Sequence, residues 1–480
     1  NQMKVGSFIA LIVLLFVILG VWTWYGNGLL SSETDGDPLS LEETGPSRPQ
    51  RVGGNHASLE PMHAQQRPSL EQLDSFAKLR DELLVQSLSG SQVLKDLTLG
   101  FASGPQMERF RDEADRNGIR ILGEIAGLAT LRIQITDLAR ASRFMDEWED
   151  EISTHYNYRV RQPELPREEV FEGEKAFGGQ APDWLGAPVD RDNWGRGIKV
   201  AVIDSGIDAS HPALSGAQVS ELSLVAGSPA SPGHGTAVAS IIVGNSENQK
   251  GIAPAASILS VRVLNENGEG DSFTVARGIV EAVDRGAHVI NMSLGGESSS
   301  SVLEQAVRYA QSNGVTVVAA VGNEGREGVT YPARFDGVVG VTSLDANGRA
   351  SGFANYGKGV DVGAPGVGVY AAWAEDETVA FSGTSTASAF VAGVLAAELS
   401  KNPGAPREQT VDLLYEYANE SGKPGFDPFT GHGALNVARI ENRFDPYLAD
   451  AAIVGSAIVR RMGESDAPVQ AALQTIQELS

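Results

Sequence analysis

Between residues 198 and 400, short apolar runs rich in β-branched residues alternate with helical segments. The runs are "IKVAVID", "SILSVRVL", "AHVINMSL", "VTVVAAVG" and "VVGVTSL"; the helical segments are "HGTAVASIIVG", "SFTVARGIVEAVDRG", "SVLEQAVRYAQSNG" and "TASAFVAGVLAAELS". A strand that is apolar at successive positions has no face to offer water, so it requires cover on both sides. Strands of this kind joined by helices run in the same direction, and the fold expected is α/β, a mostly parallel sheet with helices on both faces. Functional groups in such a sheet gather at the carboxyl ends of the strands.

At 480 residues the chain has room for two or three domains and one sizeable core. A formal net charge of −24 argues against nucleic acid as a partner. There is no cysteine, which removes disulfides, thiol nucleophiles and thiolate zinc sites. Val5 to Tyr25 carries no charge and is long enough to span a hydrocarbon core. Lys4 lies before it, Trp22, Trp24 and Tyr25 sit at its end, and Glu33, Asp35 and Asp37 follow. Residues 1–25 are therefore expected to be a single-pass membrane anchor with the rest of the chain extracytoplasmic. A cleavable signal segment near Gly26 and Gly28, giving a secreted protein, is the alternative.

Residues 26–68 are rich in Gly, Pro, Ser and acid and read as a linker. A helix follows, opened by a capping-box-like Ser69 and Gln72. Within 69–160, the stretch from Val93 onward reads strand, helix, strand, strand, helix, strand, the order of a small split-βαβ module. Residues 161–182 are polar and Pro/Gly-rich, a second linker. The tail, 441–480, places Val469, Ala472, Leu473, Ile476 and Leu479 on one helical face, expected to pack on the core.

Four weak signals become strong together. Asp204 ends an apolar strand, His234 stands between two glycines at a helix start, and Asn323 follows another strand. Ser385 precedes a long apolar helix, where an N-cap is the ordinary reading of a hydroxyl. As a set they supply a carboxylate, an imidazole base, an amide donor for an oxyanion and a nucleophile. The blocks "AVIDSGID", "GHGTAVA", "AAVGNEG" and "GTSTAS", with "VINMSLGG", "YPA", "VDVGAPG" and "GHGALNV", resemble those of the subtilisin-like serine peptidases, the subtilases, over residues 183–440. A G-x-S-x-G elbow and an H-E-x-x-H pair are absent, which disfavours esterase and metalloprotease readings. A catalytically silent binding protein of the same fold is the remaining alternative.

The resemblance implies a Ser385–His234–Asp204 triad with Asn323 in the oxyanion hole. It also implies that Gly268, Glu269 and Gly270, and Ser293, Leu294 and Gly295, pair with an extended polypeptide substrate. By the same resemblance, the module within 69–160 is a prodomain partner that assists folding and inhibits, and maturation cleavage falls within 161–182. The chemistry implied needs no cofactor. The short loop "GNSENQKG" is poor in carboxylates and argues against the calcium site many relatives build there, which leaves metal binding open. Glu266, Glu269 and Asp271 are read as solvated loop charge, with selection of basic residues upstream of the cut as the alternative. Thr386 stands where relatives commonly carry Met.

Overall fold

The computed structural model describes residues 93–166, 173–227, 233–246, 249–421 and 425–443. The expected anchor at 1–25, the linker at 26–68, the helix opened by Ser69 and nearly all of the tail lie outside these residues. Among the described residues no helix is long and apolar enough to cross a membrane.

The N-terminal module comprises β1 (Val93–Phe101), α1 (Gly104–Ala114), β2 (Ile119–Ile125), β3 (Thr130–Ile135), α2 (Leu138–Glu147) and β4 (Ile152–Arg161). Ser103 caps α1 and Asp137 caps α2, each accepting from a backbone N–H three residues on. The two helices cover one face of the sheet, and Leu97, Leu99, Met107, Phe110, Leu131, Ile133 and Phe144 form a separate small core between them. Four aromatic rings, Phe101, Phe110, Phe144 and Trp148, meet there at tilted or edge-on angles.

The larger body begins with α3 (Ala181–Trp184), β5 (Lys199–Asp204) and β6 (Gln218–Ser223). Then come α4 (Gly233–Val243), the two-residue strands β7 (Asn245–Ser246) and β8 (Gln249–Lys250), β9 (Ser257–Arg262) and β10 (Glu269–Asp271). After α5 (Ser272–Asp284), β11 (Val289–Met292), α6 (Ser301–Ser312), β12 (Thr316–Ala320) and β13 (Val339–Leu344) continue the sheet. It closes with β14 (Val362–Pro365), the hairpin β15 (Val369–Ala372) and β16 (Thr378–Phe381), and helices α7 (Thr384–Lys401), α8 (Arg407–Glu416) and α9 (Val437–Glu441).

Seven strands form one sheet in the order β14-β13-β12-β11-β5-β9-β6, every pair parallel. Its central strands are buried throughout, and two apolar clusters lie on its two sides. This is the α/β sheet that the apolar runs imply. The sequence reading missed the two edge strands. β6 alternates with mostly exposed polar residues, as an edge strand can. β14 is Val-Gly-Ala-Pro, a sequence of low strand propensity, tolerated at the end of the sheet with its proline at the strand's last position opposite Leu344.

The two bodies share a sheet. The module's order is β10-β4-β1-β3-β2, so β10, from the larger body, pairs antiparallel with β4 through Glu269↔Arg161, Gly270↔Val160 and Asp271↔Arg159. Behind this seam Asn157, fully buried, donates its amide to Asp96 Oδ2 and Asp271 Oδ1, both at 3.0 Å. Its oxygen accepts from Ser272 Oγ at 2.9 Å and the Phe273 N–H at 3.1 Å. Arg132 lies between the two carboxylates, bonded to Asp96 and, at 3.0 Å, to Asp271. Asp271 is meanwhile the N-cap of α5. The amide thus satisfies buried groups of both bodies at once, and its loss removes one bond from each, although Arg132 and Thr274 still reach the carboxylates.

Asn157→Ala in the full chain is expected to loosen the module by about 1–3 kcal/mol. Amide exchange in residues 93–161 should quicken while the seven-stranded sheet keeps its protection; unchanged exchange in the module would contradict this.

Candidate active site

Asp204 is the last residue of β5, and the neighbouring pairs β5–β9 and β5–β11 hold it at the carboxyl edge of the sheet. His234 is the second residue of α4. Glycine on either side of it is a steric requirement: a Cβ on Gly235 would sit 2.0 Å from the Gly206 carbonyl oxygen, and one on Gly233 would sit 2.5 Å from the Trp373 ring. The close approach brings His234 Nδ1 to 2.9 Å from both oxygens of the Asp204 carboxylate. Both side chains are buried. An ionised carboxylate only accepts, so this contact puts a proton on Nδ1 and, in the neutral ring, leaves Nε2 with its lone pair. Ser205 further holds Asp204 Oδ1 through its N–H at 2.7 Å and its hydroxyl at 3.0 Å. Phe381 stands edge-on to the imidazole, 5.5 Å between centroids, and shields this pair.

Ser385 is in the first turn of α7, whose N-cap is Gly383 at φ 145°, with no side-chain cap. The ordinary capping role of a hydroxyl here is therefore not what the structure uses. Ser385 Oγ is buried and has no hydrogen-bond partner, so the bond expected between it and His234 is not made in this state.

Asn323 follows β12 and is fixed by the residue next to Ser385. Thr384 donates to Asn323 Oδ1 from both its N–H, at 3.0 Å, and its hydroxyl, at 2.9 Å. The Asn323 amide, with its oxygen so occupied, is turned outward and donates to the backbone oxygen of Glu164 at 3.0 Å. Thr384 is the functional residue that the sequence reading overlooked. The only signal was its place beside the serine, where a capping threonine looks the same.

The two strands expected to bind an extended chain hold one already. Val160 and Arg161 pair with Gly270 and Glu269, and the Gln162 N–H donates to the Gly268 oxygen at 2.9 Å. On the other side Arg161 and Gly295 exchange both backbone bonds, at 2.9 and 2.8 Å. Arg161 to Glu164, read from sequence as the start of a linker, thus lie in the cleft, held at Arg161, Gln162 and the Glu164 oxygen. Ser293 and Leu294 are fully buried. The Ser293 hydroxyl faces inward, accepting from Asn291 at 3.0 Å and meeting Ser388 Oγ at 3.2 Å, so its side chain braces α7 and only its backbone faces the cleft.

The acids of the neighbouring loop are not all solvated. Asp271 is buried in the seam, and Glu269 lies 3.2 Å from the Arg161 guanidinium and 3.5 Å from that of Arg159. Among the described residues no group of three or more His, Cys, Asp or Glu side chains is arranged to hold a metal ion.

The family description that matches this arrangement is the Subtilase family, over residues 195–433. The chain is 40% identical over 255 residues to the thermostable alkaline protease of Halalkalibacterium halodurans, covering 52% of this chain and 69% of that protein. It is 43% identical over 207 residues to thermitase of Thermoactinomyces vulgaris, covering 42% and 74%. Subtilisin Savinase of Lederbergia lenta is 40% identical over 251 residues, covering 51% and 90%. Among solved structures, fervidolysin from Fervidobacterium pennivorans, a keratinolytic enzyme related to subtilisin, superposes with a TM-score of 0.61 at 24% identity. That likeness, over 72% of this chain and 60% of that one, concerns the fold alone.

Thr384→Val keeps the shape of the side chain and removes the hydroxyl that steers Asn323. Covalent labelling of Ser385 by a fluorophosphonate should slow about tenfold, the effect of losing one donor's alignment. The thermal transition should hold within a few degrees, and an unchanged labelling rate would show that Asn323 needs no such support.

Proposed function

Because the chain belongs to the subtilase family and is a subtilisin-like serine endopeptidase, a peptide-bond hydrolase, we propose that Ser385 is its nucleophile, His234 its general base, Asp204 the carboxylate that orients the imidazole and Asn323 the oxyanion donor. One observation carries this reading: the Asn323 amide already grips a peptide carbonyl, that of Glu164, beside the helix end bearing Ser385. The buried Asp204–His234 pair supports it.

In this reading Ser385 Oγ turns toward the Glu164 carbonyl carbon and attacks it while His234 Nε2 takes the hydroxyl proton. The negative charge that builds on the Glu164 oxygen is held by Asn323 Nδ2 and the N–H at the start of α7, where the helix dipole also favours it. Collapse breaks the Glu164–Leu165 bond, and His234 returns the proton to the departing Leu165 amine. Water, deprotonated by the same imidazole, then releases the acyl group from Ser385. Polypeptide substrates follow the same course once the cleft is free.

The module of residues 93–161 is accordingly a prodomain, its end lying across the cleft as inhibitor and first substrate. The chain is a zymogen that matures at Glu164–Leu165, a narrowing of the broader 161–182 expectation. We further propose that it is exported and tethered by residues 1–25 until that cut frees the enzyme, with no cofactor in the chemistry. Wild type should then yield a mature form starting at Leu165, and Ser385→Ala should accumulate uncut, both read by intact mass. Identical masses for the two would remove the case for self-cleavage, and carbonate extraction of the uncut form tests the tether.

Thr386 gives a separate expectation. Its side chain is fully buried one residue beyond Ser385, and it carries no sulfur to oxidise. Peroxide should inactivate Thr386→Met several-fold faster than wild type, with the added oxygen mapping to residue 386. Equal rates would mean that oxidation elsewhere governs inactivation.

A further inference from the structure

The strand that fills the cleft breaks its own ladder at one residue. Arg161 and Gly295 form an antiparallel pair that exchanges both backbone hydrogen bonds. In such a ladder the next pair to do so lies two residues further along each strand. Here that pair would be Pro163 and Ser293, and neither of its two bonds is made. Proline has no N–H, so the bond that any other residue would send to the Ser293 oxygen cannot form. The interruption lies one residue before the bond presented to Ser385, since the carbonyl held by Asn323 belongs to Glu164. Pro163 is nevertheless buried in the cleft, whereas Glu164 and Leu165 on its far side are exposed.

We propose that Pro163 is a timing residue for maturation: it keeps the end of the module seated in the cleft while withholding the backbone bond that would align the Glu164–Leu165 peptide for attack. This rests on the reading of Ser385 as the nucleophile that cuts there. The physical division is between binding and alignment. The hydrogen bonds of Val160 to Gln162 with β10 and Gly295, together with the Asn157 joint, hold the module by contacts that do not involve Pro163. Its missing donor therefore costs docking little. Near the reacting carbonyl the same loss leaves the peptide free to shift, and a misplacement of about 1 Å there can cost a factor of ~10² in rate. The inhibitor thus persists as a slow substrate, and the precursor lives long enough to fold before it is cut.

The test follows full-length chain made by cell-free synthesis, timing the appearance of the Leu165 N-terminus by mass spectrometry. Pro163→Ala should mature roughly five- to tenfold faster than wild type, the effect of one recovered hydrogen bond. A second measurement separates the absent donor from the ring. Peptides spanning residues 158–170, with proline, alanine or N-methylalanine at position 163, are given to the mature enzyme. The alanine peptide should be cut fastest, and N-methylalanine, which lacks the N–H without a ring, should stay as slow as proline. An N-methylalanine peptide cut at the alanine rate would overturn the proposal, because ring shape would then be the cause. So would Pro163→Ala maturing at the wild-type rate while Ser385→Ala stays uncut, an outcome that leaves the self-cleavage reading standing. Appearance of the Leu165 end in Ser385→Ala would instead remove that reading, and this proposal with it.

Discussion

Helix α7 is buried on every side from Thr384 to Leu399, and this constraint organises the rest. A surface helix can turn about its axis at modest cost, because its polar face tolerates water. A helix without a polar face has no such freedom, and every side chain must fit its neighbour at interior packing density. The small residues along it permit the fit; a Cβ on Gly393 would lie 2.8 Å from Ile252. With its rotation fixed, the direction in which Thr384 and Ser385 leave its first turn is fixed too. A hydroxyl on a rigid element needs no further anchor, which agrees with Ser385 Oγ lacking any hydrogen-bond partner.

Around that helix end, the parallel sheet delivers the other groups by a common device. β5 and β12 both end at the carboxyl edge, and each hands its next residues to the site: Asp204 from one, Asn323 from the other. Each is then oriented by bonds that leave one direction open. Ser205 and His234 take the carboxylate, and Thr384 takes the Asn323 oxygen, so only its N–H points into the cleft. Ser205 and Thr384, which have no part in the proposed proton transfers, hold these groups in place beforehand, the arrangement in which electrostatic stabilisation of a transition state is most effective.

The module is coupled to this site through backbone pairing and through an apolar contact in which Ile125, Leu128 and Val160 join the cluster of Phe273 and Val280. β4 serves two sheets of contacts at once, joining β1 within the module and β10 beyond it. Backbone pairing is tolerant of side-chain identity, which suits a strand that precedes a substrate-like segment. The Asn157 amide adds the specificity that main-chain bonds lack, because its four polar contacts can all be met only in one alignment of the two bodies.

The sequence by itself determined the fold class and most of the candidate site. Consecutive apolar residues cannot face water, and glycines flanking His234 and motif blocks around Asp204, Asn323 and Ser385 are local properties that a reader of one strand can see. The module's order of elements was legible for the same reason, through local periodicity and the caps at Ser103 and Asp137. What the sequence did not carry was pairing between distant segments. Residues 161–164 look like a free linker because polar, proline-rich chain is identical in composition whether it is solvated or lying in a cleft. Thr384 looks like a cap, Asp271 and Glu269 look like solvent-facing charge, and β6 and β14 look like loops. In each case the partner is far away in the chain, 21 residues between Val341 of β13 and Val362 of β14 and 114 between Asn157 and Asp271, and only tertiary structure brings it within hydrogen-bonding reach.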